Sequence, residues 1–427
     1  MFEIYGKYTN AKIFADICEA EAIAQIQELC NHPAFKDASI RIMPDTHSGA
    51  GCVIGTTAVL REKKIIPNVV GVDINCGVMT TIFEVNTPID FKVLDNFIFT
   101  EIPSGMDVRT KPHKELNPSV SNGIKGVVSS LNLGDADRHI CSVGTLGGGN
   151  HYIEIGKISD NRYALSVHTG SRNFGKKVCE YFQKKAEENF SGKNKLSNAI
   201  STLIADLKSA GREKEINTEI QKLKENFQAS NPKFSKELAY IEGSDYEDYI
   251  RCMAVCAIMA NESRRLISKD IIDFLGARVI EQFDTIHNYI EQLPDGTIVI
   301  RKGAISAKKG EKVAIPLNMK DGVIIGIGRG NNDWNCSAPH GAGRLLSRSK
   351  AKESLSLDDF ENEMKNINSW SVCSATIDES PMAYKPSESI IEQVKDTIDI
   401  VGIIRPIYNF KAHGVEKTWA EIKKEEK

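Results

Sequence analysis

The chain has 427 residues, 41% hydrophobic and 26% charged, which is enough apolar content for a sizeable core in one large or two to three smaller domains. A formal net charge of -3 excludes a general cationic surface, so any nucleic acid must be held by a local patch. No apolar run approaches the roughly 18 to 20 residues of a membrane span and no signal-peptide pattern opens the chain, which leaves a cytoplasmic location and no membrane partner as the expectation.

Residues 1 to 170 alternate short apolar runs with glycine turns. SIRIMPD, CVIGTTAVL, IIPNVVGVDI, GVMTTIFEV, NHYIEIG and RYALSVH predict strands around helices such as 20 to 30. From Asn173 the texture is helical, first in FGKKVCEYFQKKAEENF and then in LSNAISTLIADLKSAGREKEINTEIQKLKENF. Spaced leucines and isoleucines, interrupted near Gly211, make the second stretch a helical hairpin, read as a surface insertion at about 190–240. Its mixed charge signs favour a solvated face over an RNA-contacting basic helix. A helix near 246–267 follows, with Cys252 and Cys256 four apart on one face, where core packing is preferred to metal binding. The ten cysteines form neither a paired CxxC zinc spacing nor a disulfide framework, which favours reduced thiols.

Strands return in GTIVIRKGAIS, KVAIPLN and GVIIGIG, and then the spacing predicts three helices: from Gly341 into LLSRSKAK, near 357–366, and through SIIEQVKDTIDIVGII. RPIYNFKAHG leads to a charged tail, EIKKEEK, expected to fray. Without an internal repeat or a Pro-rich hinge, the expectation is one interlocked mixed α/β (α+β) domain over 1–427.

Five segments set metal-seeking or nucleophilic side chains among glycines or at strand ends: GVDINCG, GGGNHYIE, SVHTGSR, DTIHNY and APHGAGR. In the first, Asp73 and Cys76 lie three apart in a turn. Taken alone, an Asx turn and an inward-packed thiol are the favoured reading. His151 starts an apolar run and His168 ends one, where burial favours a neutral imidazole able to ligate a divalent ion. A single such histidine is more often a satisfied polar residue, and His287 shares the ambiguity. Four of the nine histidines fall in these segments, and that joint pattern favours a metal site. Asp, Cys and His together suit Mn, Fe, Co or Zn, and spacing does not choose among them. APHGAGR lacks acidic residues and precedes a helical-looking stretch, so it reads as an anion site with His340 at its entrance, or more plainly as a glycine turn.

The order and wording of these segments closely resemble the RtcB family of RNA ligases. The likeness runs from MPDTHSGAG at 43–51 through PMAYK at 381–385 to RPIYNFK. It implies a single RtcB-like domain with mixed sheets around a dinuclear metal site, two Mn2+ ions and GTP as cofactors, and RNA ends as partners. By that resemblance Cys76 bridges the two ions, Asp73 and His151 complete one, and His168 and His287 the other. His340 becomes the catalytic nucleophile that takes GMP from GTP. Asn150, Glu154, Asn318, Gly341, Ala342, Gly343, Tyr384 and Lys411 join His340 in the GTP pocket, and Arg172 and Arg344 meet RNA phosphates, with Arg348 a further cation there.

The resemblance also implies the reaction: a 3′-phosphate or 2′,3′-cyclic phosphate end is joined to a 5′-hydroxyl end through a histidine-guanylate. A dinuclear phosphoesterase and a non-catalytic RNA-end-binding protein are the alternatives, and an activating protein partner is left open. One loop departs from the family. Where many members carry a PGSMG-type sequence, this chain has PLNMKDG, keeping Pro316 and Met319 but placing Leu317, Asn318, Lys320 and Asp321 among them and Val323 after them. The terminal VKG is also changed, because Ala412 and His413 follow Lys411.

Overall fold

Gly77–Glu84 (GVMTTIFE) and Arg162–Thr169 (RYALSVHT) are rich in β-branched and aromatic residues, and they lie side by side inside a five-stranded sheet in the computed structural model. The structure describes residues 1–16, 18–191, 193–229 and 234–413. In that sheet the order is Pro406–Phe410, Tyr152–Lys157, Arg162–Thr169, Gly77–Glu84, Arg278–Ile286, antiparallel throughout. Side chains alternate across it. Ile153, Ile155, Leu165, Val167, Tyr408 and Phe410 belong to an apolar core on one face. Tyr152, Glu154, His168 and Asn409, at the intervening positions, line a cavity on the other.

A six-stranded sheet holds Phe2–Tyr5, Asn10–Ile13, Ser39–His47, Ile54–Leu60, Ile298–Lys302 and Tyr289–Gln292, in that order. Its only parallel pair joins Asn10–Ile13 to Ser39–His47. Lys312–Pro316, Val323–Gly328 and Ile398–Ile404 form a third sheet, and Ala304–Ser306 pairs with Ser337–Pro339. The long helix Ser244–Leu275 packs on the central strands of the five-stranded sheet and against the helices Pro118–Leu131 and Arg172–Ser191. Cys252 and Cys256 lie in its buried face within the main apolar core, in agreement with the packing reading, and no cysteine among the described residues is in a disulfide. The architecture is mixed α/β. No helix among the described residues is long and apolar enough to cross a membrane.

Lys193–Ser209 and Ile216–Ala229 are the helices expected after residue 190, with Gly211 at φ +69° in the turn between them. Elsewhere the local pattern misled. IIPNVVGVDI contains the short helix Pro67–Val70, because Pro67 at its first position needs no N–H partner and Gly71 at φ +106° ends it at once. SIIEQVKDTIDIVGII divides into the helix Ser387–Val394 and the strand Ile398–Ile404, whose β-branched run pairs with Val323–Gly328. No helix starts at Gly341. The helix is Arg348–Ser354, capped where the Ser347 hydroxyl accepts the Lys350 N–H, and the preceding glycines are irregular. Phe91–Glu101, Pro118–Leu131 and Ala136–Cys141 are helices the apolar pattern did not reveal, although Asp90, Asn117 and Asp135 cap them. The EIKKEEK tail lies outside the described residues.

Candidate functional site

Strand register brings the metal-seeking residues together. Gly77 pairs with Thr169 on one side and Ile286 on the other, so the ends that carry Cys76, His168 and His287 coincide. The His287 N–H donates to the Cys76 carbonyl at 2.8 Å, which continues the ladder past the strand ends. Tyr152 pairs with His168 and thereby sets His151 beside them. The Cys76 Sγ lies 3.2 Å from His168 Nε2 and 3.4 Å from His151 Nε2, and Asp73 Oδ2 is 3.0 Å from His151 Nε2. Two donor groups result, Cys76–His168–His287 and Asp73–Cys76–His151, each with its ligand atoms within 4.8 Å of one another. They share the thiol.

The surroundings aim these atoms. His151 Nδ1 bonds the Leu146 carbonyl at 2.9 Å and His168 Nδ1 the Asn150 carbonyl at 3.2 Å, so both rings turn Nε2 towards Cys76. Burial drives the His168 and His287 imidazoles far below the usual histidine range, leaving neutral rings with a free lone pair. Burial and then the neighbouring Asp73 charge push the Cys76 thiol well up, so the thiolate needs a cation beside it. Asp73 Oδ1 is buried without a hydrogen-bond partner among the described residues. An unsatisfied carboxylate oxygen, a buried thiol and neutral imidazoles fit one or two divalent ions.

Two residues that the sequence did not single out brace the metal loops. Arg264, fully buried on the helix Ser244–Leu275, donates from Nη1 to the carbonyls of Asn75 (3.0 Å) and Thr169 (2.7 Å). Its Nε and Nη2 hold Asp284 at 2.7 and 2.6 Å. Asn288, at φ +61°, donates to the Asp73 carbonyl at 3.1 Å and accepts the Gly303 N–H at 2.8 Å.

The His340 ring is 4.7 Å from the His287 ring, which is itself 5.3 Å from His168. Its Nδ1 lies 2.6 Å from Oδ2 of the fully buried Asp45, which also accepts the His340 backbone N–H. A carboxylate at Nδ1 keeps the proton there and leaves the Nε2 lone pair free. Gly343 has φ +73°, and a Cβ there would stand 2.2 Å from the Asp45 carbonyl, so glycine lets this loop lie against the Asp45 strand. The anion site expected at a helix amino terminus is not formed by these glycines, because the helix begins only at Arg348.

The same cavity is lined by Asn150, Glu154, Asn318, Gly341, Ala342, Gly343, Tyr384 and Lys411. Two carboxylates there lie at opposite extremes. Burial pushes Glu154 up to about 8, although Asn409, donating at 3.0 Å, and Lys411 oppose it. Burial also acts on Glu379, but Lys411, Arg348, Tyr384 and Arg344 surround it and lower it to about 2. Glu379 accepts from Arg348 and the Tyr384 hydroxyl at 2.6 Å, and from Lys411 at 3.0 Å. It therefore organises three groups for which the resemblance implies nucleotide or RNA contact, yet no sequence pattern marked it.

Arg344 also reaches Glu379 at 3.3 Å and lies over the Tyr384 ring. Arg172 is tied to the Gly105 carbonyl at 2.9 Å and to Thr145. Asn318 faces the cavity, but its carboxamide is engaged locally, accepting the Lys320 and Asp321 N–H groups and donating to the Asp321 carboxylate at 2.7 Å. Asp321 also accepts from the Ser387 hydroxyl, so the PLNMKDG loop is pinned by its own polar residues.

A family model described as tRNA-splicing ligase RtcB matches residues 25–135 and 127–412. The chain is 29% identical to the RNA-splicing ligase RtcB of Escherichia coli strain K12, covering 91% of this chain and 93% of that protein. It is 27% identical to the tRNA-splicing ligase RtcB of Aeropyrum pernix over 88% of this chain and 87% of the relative. With RNA-splicing ligase RtcB homolog 1 of Entamoeba histolytica the identity is 25%, over 86% and 78%.

Proposed function

The chain belongs to the RtcB family, and from that premise we propose that it is an RNA ligase using GTP and Mn2+ to join RNA 3′-phosphate or 2′,3′-cyclic phosphate ends to 5′-hydroxyl ends. The observation that carries the reading is the alignment of two donor groups sharing the Cys76 thiol with a third histidine, His340, whose ring is 4.7 Å from that of His287. Asp73, Cys76, His151, His168 and His287 would hold the two ions. When bound, they supply Lewis acidity at phosphate oxygens and offset charge in transfer. In this reading the chain acts as one catalytic domain with the helices after residue 190 as an insertion.

The His340 Nε2 lone pair attacks the α-phosphorus of GTP, a P–N bond forms, and the bond to the β-phosphate oxygen breaks to release pyrophosphate. Asp45 keeps the proton on Nδ1 and stabilises the imidazolium character that develops. An RNA 3′-phosphate, present as such or after water opens the cyclic end, then attacks the guanylate phosphorus and the P–N bond breaks. Attack of the 5′-hydroxyl on the activated 3′-phosphate forms the phosphodiester with loss of its proton and expels GMP. Glu154, Tyr384 and Lys411 fit the base and sugar end of the nucleotide, and Arg172, Arg344 and Arg348 the RNA phosphates.

Incubation with labelled GTP and Mn2+ should give an acid-labile covalent adduct that is absent in His340→Ala. Hydrolysed RNA ends with no adduct and no joining would instead mark a metal phosphoesterase. RNA binding that survives His340→Ala with no turnover at all would mark a binding protein.

A further inference from the structure

We propose that Asn409 is a specificity-determining residue at the base end of the nucleotide cavity, its carboxamide oxygen accepting the exocyclic 2-amine of guanine beside Glu154. The inference rests on the nucleotide reading above and adds to it a residue of RPIYNFK to which the resemblance gives no role.

Asn409 and Glu154 are direct partners across the antiparallel pair Pro406–Phe410 and Tyr152–Lys157, so their side chains stand side by side on one face. Both line the cavity, and Asn409 is only 1% exposed. Its Nδ2 donates to Glu154 Oε2 at 3.0 Å, while its Oδ1 is buried with no hydrogen-bond partner among the described residues. An ionised Glu154 can only accept, so the amide donor of Asn409 faces it and the carboxamide oxygen is the free end. The Tyr152 hydroxyl, two residues before Glu154 on the same face, is a second buried polar atom without a partner among the described residues, and Tyr152 lines the same cavity. Buried polar atoms are rarely left unmatched, and two on one cavity wall indicate a polar ligand there.

The arrangement selects among bases. Guanine presents N1–H and the 2-amine as adjacent donors on one edge, which match an adjacent carboxylate and carboxamide oxygen. Adenine offers a ring nitrogen lone pair at the equivalent place, against which the two acceptors are repulsive. Hypoxanthine keeps N1–H and lacks only the 2-amine, so inosine triphosphate isolates the Asn409 contact. Val323, in the loop that departs from the family, has no hydroxyl to offer a base.

Equilibrium binding of GTP, ITP and ATP with Mn2+ to the full chain carrying His340→Ala separates base recognition from transfer chemistry. The expected result is roughly tenfold tighter binding of GTP than ITP, since ITP leaves Oδ1 unmatched, and weaker binding still of ATP. Adding the near-isosteric Asn409→Leu should bring GTP and ITP within about twofold while ATP stays weak. Equal GTP and ITP binding before Asn409 is changed would overturn the proposal without depending on how the variant folds. So would an unchanged GTP preference in Asn409→Leu, or a preference for ATP. Binding of none of the three would remove the nucleotide reading itself, and this subsite with it. GTP preference in binding without an adduct in the unmutated chain would leave the subsite standing and remove only the histidine-guanylate.

Discussion

At the scale of single residues the cavity depends on where protons sit. Asp45 holds the Nδ1 proton of His340 across 2.6 Å, and Asp45→Asn would present an amide that can donate to Nδ1 and so favour the tautomer with Nε2 protonated. The expected outcome is a fall of roughly a hundredfold or more in the rate of adduct formation with the fold intact, read from single-turnover labelling against circular dichroism. Glu154 has the opposite character. Its folded carboxyl keeps its proton to about 8, whereas an unfolded glutamic acid loses it near about 4.3, so native stability attributable to it is full below that lower value and falls as pH rises through about 8. In the proposed reading the ionised form is the better acceptor for the guanine edge, because protonation turns one carboxyl oxygen into a donor. GTP affinity should therefore rise with pH up to about 8 and level off, and Glu154→Gln should flatten both profiles; a GTP isotherm series at several pH values checks it.

At the scale of elements, the metal-seeking atoms meet because four strand ends and one helix coincide. Gly77 is the pairing point for both neighbouring strands, and a one-residue slip would turn His168 to the apolar face. The helix Ser244–Leu275 locks this register through Arg264, which binds the carbonyl of Asn75 in the metal loop and that of Thr169 at a strand end. Arg264→Met should lower metal affinity roughly 10- to 100-fold, because the loops that carry the ligands lose their common anchor. It should also cost about 3–5 kcal/mol of stability by leaving Asp284 without its cationic partner though still held by the Asn261 amide, and Arg264→Lys, unable to span carboxylate and carbonyls together, should recover little. Metal titration followed by chemical denaturation separates the two effects.

For the molecule as a whole, the cavity draws on Asp45, the metal loops, His340 and Lys411, so ligand binding and global folding are linked. A divalent ion at 100 times its dissociation constant should stabilise the native state by about 2.7 kcal/mol. The melting temperature should accordingly rise with Mn2+ and fall on chelation. Cys76→Ser, which removes the atom common to both donor groups, should abolish most of that response while leaving the metal-free melting point nearly unchanged. A full response in Cys76→Ser would show that the ion stabilises from elsewhere.

The amino-acid sequence alone determined the mixed α/β class, the strands beside His151 and His168, the helices after residue 190 and the segments that hold the candidate ligands. Each is written in local periodicity, glycine placement or contiguous motif. What it left open follows from the same physics. The apolar run ending in DIVGII reads as helix or strand until Val323–Gly328 supplies a partner ladder. The glycines after His340 suggest a helix start until Asp45 is found packed against Gly343. Asp45, Arg264, Glu379 and Asn409 gain no role from local pattern, although MPDTHSGAG contains Asp45 and RPIYNFK contains Asn409; their roles arise from neighbours 295, 189, 32 and 255 residues away in sequence. Tertiary structure decided them, because hydrogen bonding and burial act on distance in space, to which local sequence pattern is blind.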